Sequence, residues 1–192
     1  MFMCCQKDKK EEKGLPVEQF RSGDIVFRRG TGIMSRTVLA ADDRGGAYSH
    51  VGILVRGQRK WKVVHAVPGE PDFEGDPDRV KMEDISLFFA PEKALCGGVM
   101  RLKKESDSLK ACRASEYATD IYRRHTLFDH AYVREDTTRM YCTELVEFVY
   151  RKVGIDLVEE RVSRIRVPCF AGDYVFPSAL QESSCLKLVY SF

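Results

Sequence analysis

The chain has 192 residues, 44% hydrophobic and 31% charged, which is enough apolar material for one folded domain and excludes disorder over most of its length. Basic and acidic side chains nearly balance, 31 against 29, for a net charge of +2, so nucleic-acid binding has no electrostatic footprint. No run of about 18 apolar residues exists, which excludes a membrane-spanning helix.

The chain opens Met-Phe-Met-Cys-Cys and continues in charged and polar residues to Lys13. That composition predicts a flexible tail over residues 1–16 and a single domain over 17–192. The tail reads in two ways. It is a solvated cytoplasmic segment, or it is the end of a bacterial lipoprotein signal whose apolar part lies upstream of residue 1. The second reading predicts a cell-envelope protein held to the membrane only by a lipid anchor. The seven cysteines, Cys4, Cys5, Cys96, Cys112, Cys142, Cys169 and Cys185, are odd in number and widely spaced. They make a poor disulfide framework, and without a C-x-x-C pair the usual structural zinc site is not expected.

Along the chain, Gly23-Asp24 turns into a short strand, Ile25-Val26-Phe27. Ile33, Met34, Thr37, Val38 and Ala41 recur at helical spacing within 30–41. Two strands follow, Ser49–Val55 and Trp61–Val67, then a surface loop from Pro68 to Arg79 rich in Pro, Gly and acid. Residues 80–90 fit a short helix or a strand equally well. Val99–Leu102 reads as a strand, and Ser106 to Arg124 as a helix with Leu109, Cys112, Tyr117 and Ile121 on its inner side. Residues 126–140 read as a polar loop with aromatic anchors. Tyr141 to Val153 is the clearest helix, stopped by Gly154, and Cys185–Tyr190 reads as a closing strand. Strands cluster in the middle with helices flanking them, which predicts an α+β fold with an antiparallel sheet.

The hairpin between the two central strands carries a histidine on each. Gly57-Gln58 suits a two-residue type II′ turn, which sets Leu54 opposite Trp61, Gly52 opposite Val63, and His50 opposite His65. Opposed side chains share a face with Cβ atoms roughly 4.5–5.5 Å apart. Gly52 leaves room beside the pair, and Val51, Ile53 and Val55 point into apolar packing. His125 and His130 read as surface residues. On the last strong helix, Cys142, Leu145, Val146, Val149, Tyr150 and Val153 form one buried face. Cys142 lies in the first turn, where unpaired N–H groups and the helix dipole favour a thiolate of lowered pKa and can stabilise an oxyanion. A thiolate facing the histidine pair is a nucleophile with His50 as base and His65 as the group that orients the base.

These residues resemble a known family. Tyr48-Ser-His-Val-Gly-Ile-Leu-Val, Val63-Val-His-Ala and Tyr141-Cys-Thr-Glu-Leu-Val are similar to the NlpC-type superfamily of papain-like cysteine hydrolases. The histidine strands precede the cysteine helix, as in the circularly permuted YiiX/YebB-like branch. Arg21-Ser-Gly-Asp-Ile-Val-Phe and Phe128-Asp-His-Ala-Tyr add to the likeness. The resemblance implies a papain-like fold with the sheet packed on the cysteine helix, and a triad of Cys142, His50 and His65. Many YiiX-like sequences carry Glu as third member, so the His here leaves that member's charge open. A tyrosine often lines such sites, and Tyr48, Tyr132 and Tyr141 are the candidates.

The function expected is hydrolysis of an amide in a small peptide or peptidoglycan-derived fragment through an acyl-enzyme on Cys142, with no cofactor and no metal. Three alternatives use the same residues. A lipid acyltransferase or thioesterase keeps the Cys/His chemistry; an apolar channel or a long exposed apolar helix nearby would favour it, and no such helix is visible in the sequence. Two histidines and a cysteine can also hold Zn²⁺, and Glu70, Asp72, Glu74, Asp76 and Asp78 could form a cation loop. A non-catalytic binding module is the last.

Overall fold

A computed structural model describes residues 14–132, 137–165 and 172–192, with the backbone alone at 164 and 165. Cys4, Cys5, Cys169 and residues 1–13 of the expected tail lie outside the described residues. Leu15 already packs against the apolar cluster that holds Phe20 and Trp61.

The elements in chain order are β1 (Ile25–Gly30), α1 (Ile33–Ala41), β2 (His50–Arg56), β3 (Trp61–Val67), β4 (Arg79–Asp84), α2 (Ile85–Phe88), β5 (Ala94–Leu102), α3 (Ser108–Arg123), β6 (Leu127–Phe128), β7 (Arg139–Met140), α4 (Cys142–Lys152), β8 (Ser163–Ile165), β9 (Gly172–Tyr174), α5 (Pro177–Gln181) and β10 (Leu186–Ser191). Eight strands form one sheet in the order β10-β5-β1-β2-β3-β4-β6-β7. Its pairs are antiparallel except β6 with β7. The fold is α+β, as expected. The ambiguous stretch 80–90 divides into the end of β4 and the short helix α2.

Both faces of the sheet are covered, which is why β1 and β2 read as nearly unbroken apolar runs. On one face Ile25, Phe27, Val51, Ile53 and Val64 pack with Leu145, Val146, Val149 and Tyr150 of α4. On the other, Val26, Leu54, Val63 and Val99 pack with Ile85, Phe88 and Phe89 around α2. Each fully buried side chain of this size contributes about 1.5–3 kcal/mol. The buried Tyr150 hydroxyl donates to the Gly23 carbonyl and ties α4 to the turn before β1.

Two expectations are corrected here. The β2–β3 turn holds four residues, Gly57 to Lys60, and pairs Arg56 with Trp61, Leu54 with Val63 and Ile53 with Val64. The register is therefore displaced by two residues. An even displacement keeps every side chain on its face, so His50 and His65 remain on one face as diagonal neighbours. On α3, Leu109 is 82% exposed and Cys112 is exposed, while Ala111, Ala114, Ser115, Ala118 and Ile121 are buried. Small side chains let α3 lie close: a Cβ on Gly23 would stand 2.2 Å from the Ala111 carbonyl oxygen. The inner stripe is mostly alanine, so Leu109 and Cys112 mislead, while Ile121 is buried and Tyr117 packs against the core as expected.

Candidate active site

Cys142 is the first residue of α4, with Tyr141 at the N-cap in extended conformation. The Glu144 carboxylate accepts from the Tyr141 N–H at 3.4 Å, and Gly154 ends the helix at φ 73°. The packed stripe of Leu145, Val146 and Val149 fixes the helix against β2 and so fixes its first turn at one end of the sheet. Cys142, His50, Tyr132 and Tyr141 all line one cleft of about 560 Å³, a size that suits a small ligand. Tyr174, Phe176 and Val67 extend its apolar wall, and Ile33, Met34 and Val38 of α1 form its outer side. Tyr48 does not line it; its ring lies 5.5 Å from Phe27 and its hydroxyl lies over Gly98.

The histidines are joined directly. His50 Nε2 lies 2.8 Å from His65 Nδ1, and His65 Nε2 lies 3.2 Å from Glu83 Oε1. That second contact joins two buried atoms that have no other hydrogen-bond partner among the described residues. Arg28 stands directly opposite His50 across β1–β2 and is almost fully buried. Its guanidinium lies 4.7 Å from the Phe88 ring centroid, pairs with Glu70, and reaches Glu83 at 3.7 Å. Lys93 bridges Glu70 at 2.7 Å and Glu83 at 2.8 Å. Glu83, Arg28 and Lys93 were not among the residues singled out from sequence. Glu83 pairs across β3–β4 with Val63, one diagonal step from His65, and that register could not be drawn while 80–90 stayed ambiguous.

The protonation states follow from burial. Desolvation first, then Arg28, His65 and Lys93, push the His50 pKa well below 6.5. Desolvation lowers that of His65 too, against the pull of Glu83. Burial raises the Cys142 thiol to about 11, although the N–H groups of Val51, Thr143 and Cys142 and the Arg28 charge all favour the thiolate. The expected low-pKa thiolate is corrected: Cys142 is partly exposed, but the packed protein around its sulfur withdraws more water than the helix start repays. At neutral pH the site holds a thiol and neutral imidazoles. Tyr132 is raised to about 12 by burial first and then by Cys142, Asp129 and Tyr174.

The residues do not fit a metal ion. Two nitrogens on one tetrahedral Zn²⁺ stand roughly 3.3 Å apart, given Zn–N bonds of about 2.0–2.1 Å. The bonded nitrogens of His50 and His65 are closer, at 2.8 Å, and face each other. Among the described residues no group of three or more His, Cys, Asp or Glu is placed to hold a metal. Nor does the 68–79 loop collect its carboxylates around a vacant centre. Asp72 and Asp76 pair with Arg79 and Lys81, Asp78 with His130, and Glu70 with Arg28 and Lys93. These pairs pin the loop so that Pro68, Gly69 and Glu70 line the cleft. His130 is exposed, as is His125.

The fold has a solved counterpart. The metalloprotein yiiX from Escherichia coli O157:H7 superposes with a TM-score of 0.70 over 90% of this chain and 97% of that one, at 20% sequence identity. The chain shares a YiiX-like fold. No family model matches the sequence. No curated protein matches it either.

Proposed function

We propose that the protein is a cysteine hydrolase of the permuted papain-like kind, opening an amide in a small peptide or cell-wall-derived fragment through an acyl-enzyme on Cys142. The observation that carries this is the placing of Cys142, at the start of α4, in one cleft with a His50 that is bonded to a second buried histidine. The order of events follows from the neutral ground state. Cys142 Sγ attacks the substrate carbonyl as its proton passes to His50. N–H groups at the start of α4 donate to the oxygen on which negative charge develops. Collapse of the tetrahedral intermediate breaks the C–N bond, and the amine leaves with the proton held by His50. Water, deprotonated by His50, then hydrolyses the thioester and restores the thiol. The YiiX neighbour is a metalloprotein, but no step here uses a metal, since the described residues around Cys142 and His50 do not fit one.

The apolar cleft favours a second reading, in which the acyl group carries an apolar chain and the bond opened is a thioester or ester. Ile33 is 73% exposed and Met34 54% exposed, and both line the cleft. Mass spectrometry after incubation with p-nitrophenyl acetate, p-nitrophenyl octanoate and a p-nitroanilide peptide tests both. Acyl mass on Cys142, lost in Cys142→Ala and reduced about 10²–10⁴-fold in His50→Ala, is the expected result. Acyl mass confined to Cys112 or Cys185 would overturn it. A preference for octanoate over acetate selects the second reading.

A further inference from the structure

The oxygen and nitrogen of Glu83 and His65 meet in a place where neither has another hydrogen-bond partner. His65 Nε2 and Glu83 Oε1 are both buried, 3.2 Å apart, and neither hydrogen-bonds any other described residue, the Arg28 guanidinium standing 3.7 Å from Oε1. Glu83 Oε2 accepts from Lys93 at 2.8 Å. Burial would raise the carboxyl, but its contacts with His65 and Lys93 hold it below its ordinary value. With His65 itself neutral, the Lys93 ammonium keeps the carboxylate ionised. An ionised carboxylate only accepts, and a neutral imidazole has one donor and one acceptor nitrogen.

We propose that Glu83 fixes the proton positions in the histidine pair and so makes His50 Nδ1 the base of the site. With Glu83 Oε1 accepting, His65 carries its proton on Nε2, and His65 Nδ1 is left as an acceptor. The bond at 2.8 Å then has His50 Nε2–H as donor. Neutral His50 therefore holds its lone pair on Nδ1, the nitrogen not engaged with His65. Glu83 is a positioning residue that acts through His65. The groups facing the pair are Arg28 on β1, Lys93 before β5, Glu70 in the 68–79 loop, and Glu83 and Lys81 on β4, Lys81 standing directly opposite His65, with Phe88 of α2 packed against both rings at 5.7 and 5.3 Å. The catalytic consequence rests on the cysteine-hydrolase reading; the proton positions do not.

Glu83→Gln is the informative variant. Lys93 and Arg28 can only donate, and Lys93 is the hydrogen-bonded one, at 2.8 Å against 3.7 Å, so the Gln amide oxygen turns to Lys93 and its NH₂ to His65 Nε2. Both tautomers invert, and His50 Nδ1 gains a proton. Histidine-selective ¹⁵N labelling with long-range ¹H–¹⁵N correlation near neutral pH reads this directly, with His125→Gln and His130→Gln for assignment. In Cys142→Ala protein both rings should be protonated at Nε2; adding Glu83→Gln should move both protons to Nδ1. On the Cys142 background, Glu83→Gln should slow acylation by p-nitrophenyl acetate about 10²-fold or more, and Glu83→Asp should recover part of it. Protonation at Nδ1 with Glu83 intact overturns the proposal, as does a Glu83→Gln protein with unchanged tautomers and rate. If Glu83→Gln does not fold, the first measurement decides alone. If the tautomers are as stated but Cys142 takes no acyl group, the hydrolase reading fails and the Glu83 assignment stands.

Discussion

Two helices wall the cleft, and they come from the same kind of pattern to opposite ends. In α4 the apolar stripe is buried: Leu145, Val146, Val149 and Tyr150 are each 0% exposed against the sheet. In α1 no residue is buried, although Ile33, Met34 and Val38 repeat at helical spacing just as cleanly. The α4 stripe faces β2, and the α1 stripe faces the cleft. Amphipathic periodicity thus shows that a helix has an apolar side, and it does not say whether protein or ligand covers it. The helix with a covered stripe holds Cys142 still. The helix with an open stripe leaves its apolar side to whatever enters the cleft.

The largest expected effects fall on α4. Leu145→Ala leaves a hole in a face that cannot readily collapse and should cost about 2–5 kcal/mol in urea unfolding. A loss under 1 kcal/mol would mean α4 is not held by that stripe. Tyr150→Phe should cost about 1–3 kcal/mol, because the Gly23 carbonyl loses the hydroxyl donated to it inside the core. A neutral result would show that water reaches that carbonyl.

Stability should also fall away from neutral pH on both sides, for different groups. His50 and His65 have folded pKa values below 6.5, so the unfolded chain binds protons first. Their contribution is present above pH 6.5 and is lost as pH falls below it. Cys142 is raised from 9.0 to about 11, so its contribution is full below pH 9 and is lost as pH rises toward 11. Buried Tyr150 and half-buried Tyr132 add a loss that begins nearer pH 10. Urea titrations across this range should show His50→Gln with a flatter acid limb and Cys142→Ala without the part of the alkaline limb that begins near pH 9. Unchanged limbs would mean that these groups are solvated in the folded protein.

Much of this architecture is legible in the chain. α4 is visible because its inner residues are large and Gly154 marks its end. The shared face of His50 and His65 is visible because alternation fixes parity, even though the offset depends on whether Gly57 to Lys60 contributes two or four turn residues. Three things are not legible, each for a physical reason. Most of the inner side of α3 is alanine, which carries little hydrophobic signal, and only Ile121 and Tyr117 mark it. Glu83 depends on the β3–β4 register across a long loop. The raised Cys142 thiol reflects how tightly the cleft packs around sulfur, while the sequence reveals only the helix start that opposes it.

The smallest stability effect should be the most telling about substrate. Ile33→Ser with Met34→Ser removes apolar groups that no core residue needs, so unfolding free energy should change by no more than about 0.5 kcal/mol. If an acyl chain lies along α1, losing about 50 Å² of apolar contact at about 25 cal/mol per Å² weakens its binding by roughly 1.2 kcal/mol. The ratio of Cys142 acylation rates for p-nitrophenyl octanoate over acetate should then drop about eightfold, with the acetate rate itself unmoved. An unchanged ratio would place the chain elsewhere in the cleft and leave the peptide reading in front. A large loss of stability would break the comparison itself, because it would show the α1 stripe to be part of the core after all.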